Sequence, residues 1–396
     1  MPIRNFWPAA PLAYLRGNPQ LAIVGLSLFI GMLASSFLSL YIAVDFARQG
    51  FWPITTYFET WLIPADLLLF PAFFIVMRKR SPRSVIWAAS GCQVLGMVML
   101  TVLHGRHEAW IIGPLVALFA TGYWQINQLA MAAHTTRAAR GFEVSFLAGV
   151  AEVGALIGAS TAALLSAMHL PFAPQYIAFV LQAAATLMLG LTLPKASSLA
   201  GDDVQQGGLA IEPFWACFRR FPRQNLGIAV GAVHELAVVM LLATWLVSSG
   251  YQVITLGGLR VGSSIATFLL APLCGRLIHR QQGGEFKLAS GLGVLAWLLV
   301  LTVPHLAGVA IAALIWPLSA FFMRTGLESR YFSRRSSTQI LVRQVILALV
   351  RLPTLPVLCW FATRQTHLYP VAGIVVAVLI LPYGIYLLRS EKERAL

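Results

Sequence analysis

The sequence predicts an all-α membrane protein of twelve transmembrane helices arranged as two six-helix halves. Three observations carry this expectation. Hydrophobic residues make up 58% of the 396-residue chain and charged residues only 11%, well below the roughly one quarter typical of soluble domains. Twelve apolar segments run to about twenty residues, long enough to cross a hydrocarbon core of about 30 Å. Positive charge alternates with them. With the N-terminus in the cytoplasm, all but six of the 28 Lys and Arg fall in cytoplasmic segments or at their membrane edges. The exceptions are Arg48, Arg106 and Arg364 in outside loops, and Arg260, Arg343 and Arg351 within spans. Such a bias sets orientation at insertion. The expectation is a multi-pass protein of the inner (cytoplasmic) membrane with both termini cytoplasmic.

In order, the spans of the first half are 21–46, 54–77, 84–104, 109–133, 142–169 and 172–193. Those of the second are 225–248, 252–279, 287–304, 307–326, 337–363 and 369–388. The domains are therefore 1–193, a cytoplasmic linker 194–224 with the basic residues Arg219, Arg220 and Arg223, and 225–396. Six plus six spans is a common transporter plan, with the substrate site between the halves near the midplane. The first twenty residues, with Arg4 and Arg16, read as a cytoplasmic lead-in without a cleavable signal.

Several function classes are excluded. The net charge of +14 is spread over short loops, where topology and anionic headgroups explain it; membrane lipids are partners and nucleic acid is not. The outside loops 170–171, 249–251 and 305–306 are too short for a receptor or catalytic domain. No HExxH, GxSxG, P-loop or paired acidic motif marks an enzyme. Cys92, Cys217, Cys274 and Cys359 form no CxxC pair, so no metal site or disulfide framework is expected. No cofactor is expected either.

Two loops echo each other. Arg78-Lys79-Arg80-Ser81-Pro82-Arg83 follows the second span, and Gly275-Arg276-Leu277-Ile278-His279-Arg280-Gln281-Gln282-Gly283-Gly284 follows the eighth. The pair resembles the signature of the major facilitator superfamily, a glycine, an acidic residue and a basic cluster around a tight turn. The second copy matches through Gly275, Arg280 and Gly283, with His279 where Asp is usual; the first keeps only the basic cluster. Gly149, Gly154 and Gly158 in the fifth span resemble the glycine-rich motif of efflux antiporters, without its usual Pro. The arginine common in the fourth span of proton antiporters is absent. Gln128-Leu129-Ala130-Met131-Ala132, Arg140-Gly141-Phe142-Glu143-Val144 and Trp245-Leu246-Val247-Ser248-Ser249 are similar to the bacterial sugar efflux branch. The resemblance implies the major facilitator fold, alternating access, and a gating loop formed by Gly275, Arg276, Arg280 and Gly283.

Ionisable residues inside spans are rare because burying a charge in lipid costs on the order of 3 kcal/mol or more. Glu152 and Glu235 each lie about 15 Å into their spans, near the midplane. A carboxylate in a cavity at that depth can bind and release a proton, so Glu235, Asp66 and Glu152 are the proton-coupling candidates. Each also has a structural reading: a partner for an arginine, a contact near Pro64, or a neighbour of the glycine stripe. Arg343 and Arg351 are about 80° apart around one helix, and Arg260 enters from the outer end of the eighth span. Arginine stays charged when buried, so these three need carboxylate partners or an anionic ligand, unless Arg343 and Arg260 snorkel to the surface.

The fourth span carries Tyr123, Trp124, Gln125, Asn127 and Gln128. Amides bond hydroxyls and rings pack on sugar faces, so this patch suits a polyhydroxy or amphipathic ligand, or else glues helices together. Trp316, before Pro317, reads as either a ligand contact or packing at a kink, and His234 as structural. The expected function is secondary active transport of a small organic solute by alternating access, as proton-coupled efflux of a sugar-like or amphipathic compound. The alternatives are an uptake permease for an anionic solute, such as a siderophore, and a lipid flippase. The partners are then a small-molecule substrate, a proton or other coupling ion, and lipid, with the protein a monomer.

Overall fold

The computed structural model describes residues 18–49, 82–102, 115, 118, 122–132, 134–135, 140–167, 173–192, 213–220, 222–242, 245–246, 249–250, 253–280, 283–303, 306–332, 337–364 and 367–395. Among these residues there is no strand. The helices are α1 (Pro19–Gln49), α2 (Pro82–Val102), α3 (122–132), α4 (Arg140–Ala167), α5 (Ala173–Thr192), α6 (Phe214–Arg220), α7 (Pro222–Glu235), α8 (Val253–His279), α9 (Gly284–Thr302), α10 (Leu306–Phe332), α11 (Ser337–Arg364) and α12 (Tyr369–Ala395). Six helices among the described residues are long and apolar enough to cross a membrane. The predicted span 54–77, with Asp66, lies outside the described residues.

Local chemistry sets several helix starts. Proline opens α1, α2 and α7, where a first-turn residue has no use for its missing N–H. At α1 the Leu21 N–H donates to Asn18 Oδ1 at 3.2 Å, a side-chain cap on an otherwise orphaned donor. Gly283 precedes α9 at φ 64°, a left-handed conformation that costs glycine little.

Packing follows the small residues. α1 lies against α4 and α5, α4 also against α8, and α9 against α10 and α12. A Cβ at Gly154 would run into the backbone of Phe29, and one at Gly158 into that of Leu33. Gly149 instead faces Ala271 of α8. The glycine stripe of α4 therefore seats two helices, letting backbones approach closely where lipid offers no hydrophobic drive to association.

Two elements depart from the sequence reading. α10 runs to Phe332, beyond the expected end at 326, because its polar residues find ionic partners inside the bundle. A π-helical turn, Leu236–Met240, follows Glu235 directly within a span expected to be one continuous helix. Tyr369 Oη donates to the Ala237 carbonyl in that turn at 2.6 Å.

Candidate functional site

Helices α7, α10 and α11 line a small, partly open cleft. Its apolar wall is Ile228, Ala232, Ala320, Met323, Leu327 and Leu347, and its charges are Glu235, Arg324 and Arg343. The helical repeat brings the charges together. Arg324 and Glu328 are an i, i+4 pair on α10, with Nε donating to Oε1 at 3.1 Å. Arg343 Nη2 of α11 donates to the same Glu328 oxygen at 3.1 Å. Two turns further along α11, Arg351 Nη2 donates to Glu235 Oε2 at 2.9 Å. Arg324 Nη1 lies 4.0 Å from Glu235 Oε1, so Glu235 sits between two arginines.

Exposure separates these groups. The Arg324 side chain is 42% exposed and that of Glu235 26%, while Arg351 is 13% exposed and Glu328 5%. From α3, the Trp124 ring centre lies 6.0 Å from the Arg324 guanidinium carbon. From α4, Glu152 accepts from Ser264 Oγ at 3.1 Å. The side chain of Arg260 and all of Asp66 lie outside the described residues.

The polar patch of α3 is occupied otherwise. Tyr123 is fully buried; its hydroxyl donates to the Ser27 carbonyl of α1 at 2.8 Å, and Asn127 Nδ2 reaches that hydroxyl at 3.4 Å. Gln128 Oε1 accepts from Gln344 Nε2 of α11 at 2.9 Å. Trp316 is fully buried against Trp297, with ring centres 4.4 Å apart, and also meets Trp245. Of the aromatic and amide residues singled out in the sequence, Trp124 is the one beside the open guanidinium.

His234, beside Glu235, lines the cleft, and its Nε2 is 3.0 Å from Ser319 Oγ. That hydroxyl donates to the Ala289 carbonyl at 2.6 Å. It therefore accepts from His234, whose proton sits on Nε2 in the neutral ring.

The expected gating loop meets α4. Gly275 packs on Phe142 and Ser145, Gly141 packs on Ile278, and the rings of His279 and Phe142 are 5.9 Å apart. Arg276 and Arg280 are exposed. With Gln128–Gln344, these contacts join the start of α4 and the end of α3 to the end of α8 and the start of α11.

Arg324 and Glu328 escaped the sequence reading as a site. Arg324 sits at the edge of the expected span 307–326 and Glu328 beyond it, so both read as interfacial. The signal was their i, i+4 spacing, which extends a helix and pairs opposite charges. Glu328 also answers the imbalance of three arginines against Glu235 alone.

No protein-family model matches the sequence, and no curated protein is detectably similar to it. Solved structures are similar in shape. The human organic anion transporter MFSD10 (TETRAN) superposes with a TM-score of 0.69 at 14% identity, over 92% of this chain and 98% of that one. The E. coli fucose:proton symporter FucP gives 0.62 at 13% identity, over 92% and 98%. A bacterial homologue of the iron transporter ferroportin, in an outward-facing state, gives 0.61 at 12% identity, over 93% and 98%. The chain shares the fold of these three transporters.

Proposed function

We propose that this protein is a secondary transporter, moving a small organic solute across the membrane by alternating access with proton coupling through Glu235. The observation that carries the reading is the position of Glu235 between Arg351 at 2.9 Å and Arg324 at 4.0 Å, beside a cleft. Ionised, this carboxylate balances both arginines. Protonated, it releases their charge, so a proton on Glu235 changes what else the cleft can bind. A charge network inside a span is expensive and usually functional.

The cleft is lined by α7, α10 and α11, and Trp124 of α3 stands 6.0 Å from its Arg324. This composition supports a site between 1–193 and 225–396 as the two rocking units. The contacts of Gly141 with Ile278, Phe142 with His279 and Gln128 with Gln344 support a gate at one end of that site. Among the structural neighbours, one is an organic anion transporter and one a proton symporter, so the fold is compatible with both properties. Sugar efflux has less support, because Tyr123, Asn127 and Gln128 are committed to contacts between helices.

Reconstituted protein with a pH dye trapped in the vesicles tests the reading. Addition of a transported solute shifts internal pH for the native chain and leaves it unchanged for Glu235→Gln. Equal proton movement in that variant would shift the role to Glu152 or Asp66.

A further inference from the structure

We propose that Tyr369 is a positioning residue for Glu235: its hydroxyl holds a π-helical turn, and that turn sets the phase at which Glu235 meets Arg351. The proposal rests on Glu235 being the coupling group, and adds the device that aims it. The turn, Leu236–Met240, begins at the residue after Glu235. In an unbroken α-helix the Leu241 N–H would donate to the Ala237 carbonyl, four residues back. Here it donates to the Leu236 carbonyl instead, at 3.1 Å. The Ala237 carbonyl has thus lost its α-helical donor. The Tyr369 hydroxyl, from the start of α12, donates to that carbonyl at 2.6 Å. Within a bilayer the protein itself has to satisfy its backbone acceptors. Tyr369 therefore supports the turn at the atom where it departs from an α-helix.

A π turn holds one residue more than the α turn it replaces, and such turns recur at functional sites. Both flanks of this one are fixed. Before it, Glu235 Oε2 accepts from Arg351 at 2.9 Å, and His234 Nε2 donates to Ser319 Oγ at 3.0 Å. After it, Trp245 stacks on Tyr369 with ring centres 5.6 Å apart, and meets Trp297 and Trp316 at 6.3 Å. The extra residue lets both sets of contacts form at once. An α-helix through the same residues would turn one flank by about 100° against the other. The aromatic flank resists this, because Trp245, Trp297, Trp316 and Tyr369 are all buried. Glu235 is 26% exposed and has room to move. Without the turn, Glu235 leaves Arg351 while the aromatic cluster stays.

Tyr369→Phe in the full-length protein tests this, since it keeps the ring on Trp245 and removes only the hydroxyl. Two readouts need no solute. The first is melting temperature in detergent. Arg351→Ala should lower it in the native chain, and by much less in the Tyr369→Phe background, where the pair is already parted. The second is modification of Glu235 by dicyclohexylcarbodiimide, an apolar reagent for protonated carboxyl groups, followed by mass spectrometry. A carboxylate clamped by arginine reacts slowly. In Tyr369→Phe the reaction should be about tenfold faster, a shift of about 1.4 kcal/mol and within the cost of leaving a buried carbonyl unpaired.

Deleting Val238 from the turn removes the extra residue, so that an α-helix runs through with both flanks in phase. Tyr369→Phe combined with this deletion should regain the full Arg351→Ala effect and the slow modification of Glu235. A tyrosine needed for packing alone would give no such rescue. An equal fall in melting temperature on Arg351→Ala in both backgrounds overturns the proposal, as does unchanged modification of Glu235 in Tyr369→Phe. A combined variant that folds but still reacts fast overturns it too; if that variant does not fold, the first two comparisons decide. Should both readouts behave as expected while Glu235→Gln still moves protons in vesicles, the coupling reading fails and the aiming of Glu235 by Tyr369 stands.

Discussion

Arg324 and Arg330 stand six residues apart on α10, each with a glutamate, and their settings differ in one respect: access. Arg330 pairs with Glu285 of α9 at 2.5 Å, the side chains 10% and 0% exposed. It also donates to the Gly326 carbonyl at 3.0 Å and covers the Phe286 ring at 4.8 Å. Arg324 keeps one edge on Glu328 and presents the other to a cleft. A sealed pair has its partners fixed by the fold and serves to hold α9 to α10. An open pair can trade its carboxylate for a ligand, and trading is what a transport cycle requires.

The contrast is broken most severely at the sealed pair. Arg330→Ala strands the Glu285 charge in the interior and is expected to cost about 3–5 kcal/mol, read as collapse of the detergent melting temperature. Replacing both residues with apolar ones, Arg330→Met with Glu285→Leu, should recover most of that loss. A melting temperature unchanged in Arg330→Ala would show that the pair is not sealed.

Arg351 lies between the extremes, at 13% exposure against 26% for Glu235. Arg351→Ala is expected to cost about 2 kcal/mol, the scale of a hydrogen bond to a charged group, and to abolish transport. Combining it with Glu235→Gln should restore melting temperature but not transport. Full stability in the single variant would mean that water already satisfies Glu235.

For Arg324→Gln the expected stability change is within about 1 kcal/mol, because the Arg324 side chain is half-exposed and Glu328 keeps its bond to Arg343. Transport should nonetheless be lost. Thus the three arginines are expected to order one way by stability and the reverse way by how selectively function fails.

The smallest effect is expected at the amide bridge. Gln344→Ala removes one hydrogen bond to Gln128, worth about 1 kcal/mol, and should loosen the contact between α3 and α11. Faster labelling of a cysteine introduced at Ala132 would report it, and unchanged labelling would remove the bridge from the gate.

Much of this was legible in the sequence, for identifiable reasons. The helices were, because an apolar run of about twenty residues in a charged-poor chain has few other uses. Glu235 and Arg351 were, because each interrupts such a run. Arg324 was not: an arginine near a span end normally snorkels, and only Glu328 one turn on, with Glu235 across the cleft, shows that it turns inward. The amides of α3 were ambiguous by chemistry, since Asn127 or Gln128 bonds a hydroxyl of a ligand or of a neighbouring helix equally well. The π turn was not legible, as its stabilising donor, Tyr369, lies far along the chain. The glycine motif was read correctly as small residues in one stripe, but its two targets, α1 and α8, required the fold.

The most direct test compares proton movement in vesicles for two variants of matched stability, Arg324→Gln and the apolar Arg330→Met with Glu285→Leu pair. Solute-dependent change of internal pH is predicted to vanish in the first and to persist in the second. Persistence in Arg324→Gln, with loss in the apolar pair, would contradict the assignment of the open cleft as the transport site.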